Sequence, residues 1–311
     1  MKCVDLRWGT VVVTGLLVAV LAGCSGSGGQ IVYQYVSERV SYNPDGTRLA
    51  FAALGGNGLQ YTYTIYNNGG ALTLLTPSDN DTDLTDEGGK HPAWSPDGQD
   101  ICFASRRGGS QALFLMDPTV GDRLRLSKLT DDSGAGADDQ PSWSPDSQRI
   151  VFVSNRRAGG DAWDIVIINR DGSGRTELVT DGAMNQWPVF SPDGTKIAYQ
   201  SNAAGNSDIL VLDLATMVAT NLTGPNGFRE EAPSWSPDGS TIAFHSNRAG
   251  DFDIWFMNAD GTNVRQFTRD ARSDGYPVWN HDGSRLAITR DREIWTIRAD
   301  GTDPRQLTRR F

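Results

Sequence analysis

The chain has 311 residues and a formal net charge of −10, from 28 Lys and Arg against 38 Asp and Glu. That length fits one large domain or two ordinary ones. No Lys/Arg stripe interleaves with aromatics to neutralise phosphates, so nucleic acid is excluded as a partner. Three cysteines, Cys3, Cys24 and Cys102, are too few for a disulfide framework.

The first residues set the compartment. Lys2 and Arg7 form a short basic region and Val11 to Ala22 an apolar run, too short to span a bilayer comfortably and proportioned like a signal peptide. Leu21-Ala22-Gly23-Cys24 resembles the lipobox of bacterial lipoproteins, which implies cleavage before Cys24 and lipid attached to it. A plain secreted protein cut nearby is the alternative. Ser25 follows that cysteine in place of the Asp that retains some lipoproteins at the inner membrane, which favours the outer membrane. Ser25-Gly26-Ser27-Gly28-Gly29 reads as a flexible tether. The expected division is 1–23 signal peptide, 24–30 lipidated cysteine and tether, and 31–311 folded domain. Only Cys102 then remains a free thiol; it lies in Ile101-Cys102-Phe103-Ala104 and reads as a small buried hydrophobe.

From Tyr42 onward one phrase returns six times: Tyr42-Asn43-Pro44-Asp45-Gly46, Trp94-Ser95-Pro96-Asp97-Gly98, Trp143-Ser144-Pro145-Asp146-Ser147, Phe190-Ser191-Pro192-Asp193-Gly194, Trp235-Ser236-Pro237-Asp238-Gly239 and Trp279-Asn280-His281-Asp282-Gly283. Successive Asp residues are 52, 49, 47, 45 and 44 apart, a period that signals a repeat architecture. Each unit alternates apolar runs with turn signals. In the fifth, strands are expected over 232–236, 241–246, 253–257 and 264–268, separated by Pro237-Asp238-Gly239, Asn247-Arg248-Ala249-Gly250 and Asn258-Ala259-Asp260-Gly261. The second strands, such as Ile150-Val151-Phe152-Val153 and Ile242-Ala243-Phe244, are apolar on both faces, so each sheet must lie between two others. A ring of radially stacked four-stranded antiparallel sheets meets that condition. The prediction is all-β, a six-bladed β-propeller. Ile31 to Val36 is expected to help close the ring; Arg305-Gln306-Leu307-Thr308 could also complete the last blade by itself.

Trp-Ser-Pro-Asp-Gly followed by Ile-Ala-Phe, Ser-Asn-Arg, Asp-Ile-Trp and Asp-Gly-Thr resembles the PD40, or TolB-like, propeller repeat (WD40-like), over about residues 38–308. The resemblance implies a scaffold of the cell envelope. TolB carries an α/β domain before its propeller, and the few residues between Cys24 and Glu38 leave no room for one, so the expectation is the propeller alone on a lipid anchor.

Strand direction places the Pro-Asp-Gly and Asp-Gly-Thr turns on one face, and the Ser-Asn-Arg loops with the starts of the first strands on the other. Near the axis of this second face fall Glu38, Glu87, Asp138, Asp139, Asn185, Gln186, Glu230, Glu231 and Asp274. Crowded carboxylates repel, which raises some of their pKa values or recruits a cation or a basic segment. Calcium suits such a set, and Asp139, Glu231 and Asp274 are its expected ligands. The competing reading pairs the acids with Arg106, Arg107, Arg156, Arg157, Arg248 and Arg290, tying blade to blade. Asp164, Asp208, Asp253 and Glu293, repeated before the third strands, read as architecture.

Departures from the repeat point to function: Lys90-His91, Asn185-Gln186-Trp187, Phe228-Arg229 and Tyr276. Trp187 and Tyr276 could stack on a partner side chain or a sugar. His91 and His245 lie toward the same end, where an ordinary polar role competes with a metal pair, and His281 has no chemical role. Asp79-Asn80-Asp81-Thr82-Asp83 lacks the Gly and the acid of a calcium loop and reads as a solvated loop. There is no Gly-x-Ser-x-Gly, His-Glu-x-x-His, P-loop or Cys/His zinc spacing, and only three histidines. Propellers of this repeat that are peptidases carry a further domain, and those acting on pectic oligosaccharides use a His-rich metal site. The sequence thus predicts a monomeric, non-enzymatic, periplasm-facing lipoprotein. Its rim, Glu87, His91, Asp138, Asp139, Gln186, Trp187, Glu230, Glu231, Asp274 and Tyr276, is expected to dock an envelope protein or peptide segment. The alternative is a propeller that binds or cleaves uronic oligosaccharides.

Overall fold

The computed structural model describes residues 31–33, 38–54, 60–75, 89–118, 126–131, 136–157, 160–224 and 226–310. The expected signal peptide, Cys24, the tether, Glu87 and the Asp79–Asp83 run lie outside them. Six four-stranded antiparallel sheets follow one another along the chain, each with its strands paired in sequence order. Blade 1 spans residues 41–74, blade 2 90–128, blade 3 138–179, blade 4 185–221, blade 5 230–266 and blade 6 274–306. No helix occurs among the described residues. In blade 5 the strands are Glu230–Trp235, Thr241–Ser246, Asp253–Asn258 and Arg265–Gln266, so the turn signals separated the elements as expected.

The two-faced apolar strands are buried as that pattern demands. Phe51, Phe103, Phe152, Tyr199 and Phe244, one from the second strand of each of blades 1 to 5, are at most 1% exposed. Six apolar clusters form, and each lies between two blades. Phe103 of blade 2 packs with Ala50 of blade 1, Phe152 with Cys102, Tyr199 with Val151, Phe244 with Ala198, Ile288 with Ala243, and Phe51 with Ala287. Large residues from one blade thus meet small ones from the next, which lets neighbouring sheets approach closely. Burying each aromatic is worth roughly 2–3 kcal/mol, and the gain exists only when both blades are present.

The turns on one face are held locally. Asp97 accepts the Ser95 hydroxyl at 2.7 Å and the Gln99 N–H at 3.0 Å, and Asp193 repeats the pattern with Ser191 and Thr195 at 2.6 and 3.0 Å. Hydrogen bonds from Ser191 and Thr195 bring the Asp193 carboxyl down to about 2. Gly98 sits at φ 73°, a conformation glycine adopts without a Cβ clash. Blade 3 places Ser147 there at φ 60°, and its hydroxyl accepts the Asp97 N–H of blade 2 at 3.0 Å.

Blade 6 completes itself with Arg305–Gln306, and Ile31–Tyr33 adds a further pairing, running parallel to Thr308–Arg310. The outer position of blade 6 is thus filled by Arg305–Gln306 and not by the N-terminal strand, which pairs with the residues just beyond it in a separate two-stranded sheet; residues 34–36 of the expected strand lie outside the described residues. Leu307 packs with Val40 and Phe51 across the last seam.

Candidate functional site

Near its rim end, each inner strand from blade 2 to blade 6 is bulged. Pairing with the second strand slips at Lys90/Ala93, Asp139/Ser142, Gln186/Val189, Glu231/Ser234 and Gly275/Val278. In every case the residue before a proline takes positive φ: His91 47°, Gln140 53°, Trp187 54°, Ala232 50° and Tyr276 51°. That conformation costs about 1 kcal/mol or more per residue, and a bulge re-aims the side chain it carries. Blade 1 has Val40 where the others have proline, and Arg39 holds the equivalent position.

These residues meet across the channel. The Trp187 ring of blade 4 lies 5.0 Å from that of His91 in blade 2 and 5.2 Å from Tyr276 in blade 6, both edge to face. Three alternate blades thus close the axis with one aromatic contact, worth roughly 0.5–1.5 kcal/mol per ring pair beyond area burial. Arg39 donates from Nη2 to the Pro233 carbonyl of blade 5 at 3.3 Å, another link between blades that are not neighbours.

Polar stitches run around this lid, one at every seam. Glu38 of blade 1 reaches His91 Nε2 at 3.3 Å, and His91 Nδ1 meets Asp139 of blade 3 at 2.6 Å. The Gln140 side chain accepts the Trp187 N–H at 2.8 Å, Gln200 accepts the Ala232 N–H at 3.0 Å, and His245 Nδ1 accepts the Tyr276 N–H at 3.1 Å. The Thr289 hydroxyl donates to the Glu38 carbonyl at 2.7 Å and completes the circle. Because Nδ1 of His245 is an acceptor, its proton sits on Nε2, 3.2 Å from Glu231.

The outer acids face arginines. Asp138, Glu230 and Asp274 are fully buried and are held by Arg156 at 2.9 Å, Arg248 at 2.6 Å and Arg290 at 2.6 Å respectively. Blade 4 has lost both partners: Asn185 replaces the acid and Ala203 the arginine, and the Asn185 amide donates to the Trp163 carbonyl and to Asp181 instead. The acids before the third strands are architectural too. Asp164 binds Arg157, while Asp208 and Asp253 accept side-chain amides of the fourth strand from Asn221 and Gln266.

The spacing placed the rim residues at the correct end of the channel, but their carboxylates do not repel one another around an open mouth. Burial alone would raise the Asp139 carboxyl, but His91 outweighs it and holds Asp139 below the usual carboxylate range. His245 and Arg229 do the same for Glu231 against its burial. Burial alone would lower His91; Asp139 and Glu38 push it instead up to about 10. Asp139, Glu231 and Asp274, the expected calcium ligands, each face a cationic or imidazole side chain of this chain. Among the described residues no group of three His, Cys, Asp or Glu side chains is placed to hold a metal ion. Trp187 is 4% exposed, so its ring is spent on the lid. Gln186 accepts the Gln200 side-chain amide at 3.0 Å. Sequence reasoning passed over Arg39, Gln140 and Gln200; aligning the units on the residue three before each Trp-Ser-Pro would have exposed the first two.

Six four-stranded blades around a channel closed at one end define a β-propeller. The family comparison then gives its kind: residues 157–310 match the TolB beta propeller domain, PD40. Over that stretch the chain therefore matches a TolB-like propeller built of PD40 repeats. A TolB homolog of Chlorobium luteolum is 31% identical over 164 residues, which cover 51% of this chain and 33% of that protein. The matched region thus spans about a third of the curated relative. TolB from Acinetobacter baumannii superposes with a TM-score of 0.66 at 19% identity, over 83% of this chain and 63% of that one. An oligogalacturonate lyase in complex with manganese gives 0.63 at 16% identity, over 89% and 78%. At these identities the superpositions speak to the fold alone.

Proposed function

We propose that the protein is a non-enzymatic, protein-binding scaffold of the bacterial cell envelope, anchored through lipid on Cys24 and docking a partner on its lid face. The observation that carries this reading is the lid. The titratable side chains at the rim end, His91, Asp139, Glu231 and His245, are bound to one another or to neighbouring groups. That arrangement suits a rigid platform better than a proton-transfer site. The likeness to TolB agrees with it. Contact would fall on the exposed residues beside the lid: Phe228 is 40% exposed, and the Arg229 guanidinium is held at 2.8 Å by Glu231 and lies over the Phe252 ring. An aromatic and an arginine together make a common binding hot spot.

A photo-crosslinking residue placed at Phe228 in cells should give discrete adducts with envelope proteins. The same residue at Thr220, on the outer edge of blade 4, should give none. Equal adducts from both positions would dismiss the lid face as the docking surface. Cys24→Ser should move the protein from the membrane fraction to the soluble fraction; retention in the membrane would remove the anchor from the proposal.

A further inference from the structure

Below the lid lies a cavity of about 160 Å³, lined among others by Arg39, Trp94, Pro96, Gln140, Trp143 and Trp187. It follows the inner strands from His91, Gln140 and Trp187 of the lid to Pro96, in the Pro-Asp-Gly turn of blade 2. Two of its lining residues carry positive charge, Arg39 and His91, and His91 is already paired with Glu38 and Asp139. Of the five guanidinium N–H groups, one reaches the Pro233 carbonyl. Among the described residues no carboxylate pairs with Arg39. Its neighbour Glu38 turns to His91, and Asp139, Glu231 and Asp274 are bound elsewhere. Burial, with nothing to offset it, lowers the guanidinium to about 10. The indole N–H of Trp94, on the same wall, is buried with no acceptor.

Arg39 is part-buried, and leaving a cation unpaired where little water reaches it is destabilising; Arg156, Arg248 and Arg290, which also reach into the interior, are each paired with an acid. The missing element at Arg39 is an anion. We propose that this cavity is a receptor for a carboxylate carried by a peptide segment entering from the Pro-Asp-Gly face, with Arg39 as its cation. The planar fork of arginine matches a carboxylate with two parallel hydrogen bonds, and walls of tryptophan and proline strengthen such a pair by excluding water. The volume is that of a cavity that admits benzene. It suits one acidic side chain or one C-terminal residue and is far too small for a folded element. A calcium ion is disfavoured there by the charge of Arg39.

The test uses the full chain in detergent, followed by tryptophan fluorescence and calorimetry. Four probes are compared: acetyl-Gly-Gly with a free C-terminus, acetyl-Gly-Asp-Gly-amide, acetyl-Gly-Gly-amide and inorganic phosphate. One of the two carboxylate probes should bind, and which one does tells a chain terminus from an acidic side chain. The amide control should not bind. Arg39→Gln should weaken the binding at least tenfold, and without ligand it should melt at or above the wild-type temperature, because it removes an unpaired charge. Arg39→Lys, which keeps the charge without the fork, should bind with intermediate affinity. Equal binding of the amide control, tighter binding of phosphate than of either carboxylate, unchanged affinity in Arg39→Gln, or a lower melting temperature in that variant would each overturn the proposal. Crosslinking from Phe228 should be the same in Arg39→Gln, so failure here leaves the lid-face reading standing.

Discussion

Across the seams of the propeller the same kinds of side chain recur: an aromatic or branched residue from one second strand against a small or branched one from the next, six times over. At the axis no two blades present the same residue; Arg39, His91, Gln140, Trp187, Ala232 and Tyr276 occupy one structural position. A seam can be solved once and copied, because each blade meets its neighbour in the same way. The axis is shared by all six and has room for only one arrangement, so identical residues would collide there. Repetition marks what holds the ring, and variety marks what fills its centre.

The strongest way to break this contrast is to damage a seam. Phe152→Ala should cost about 4–5 kcal/mol, at the upper end for a buried aromatic, because the sheets on both sides hold the cavity open. Urea unfolding would measure it, and a loss below 2 kcal/mol would mean that the seams relax easily. Trp187→Ala should cost less, about 3 kcal/mol, since space already lies beneath the lid. It should also expose the channel, seen as faster quenching of the remaining tryptophans by acrylamide.

The third test is one of pH. The folded pKa of His91 lies above its unfolded value of about 6.5. Its contribution to stability is therefore complete below pH 6.5 and is lost as pH rises towards 10. Wild-type melting temperature should decline over that window more steeply than in His91→Gln; parallel profiles would show that the Glu38 and Asp139 contacts contribute nothing. The smallest effect belongs to the exposed turns. Asp193 has a folded pKa depressed to about 2, so its contribution is present above pH 4 and disappears as pH falls towards 2. Asp193→Asn should lower the melting temperature by only about 1–2 °C at pH 7, with the difference vanishing near pH 2.

The blades and seams were legible in the sequence because short apolar runs, greasy on both faces, and the Pro-Asp-Gly turns between them are local signals. The site was half legible. Counting along the strands put Asp138, Glu230 and Asp274 at the right end, but simple alternation has no place for a residue at positive φ. The bulge at each proline shifts the pairing, so His91, Trp187 and Tyr276 meet over the axis, while Asp138, Glu230 and Asp274 are held by arginines. The prolines were in plain view: His91-Pro92, Gln140-Pro141, Trp187-Pro188, Ala232-Pro233 and Tyr276-Pro277. Their regular recurrence was the available sign that the inner strands are not plain ladders.

The last seam has a consequence for how the molecule is made. The Thr289 hydroxyl and the Glu38 carbonyl that it binds are 251 positions apart, whereas the other seams join units about 50 residues apart in the chain. During synthesis blades 1 to 5 can stack as they emerge, yet the greasy flank of blade 1 stays bare until blade 6 arrives. A nascent arc of five sectors is thus sticky at both ends. Its safe passage calls for either rapid completion or a chaperone that shields Leu49 and Phe51 in the interval.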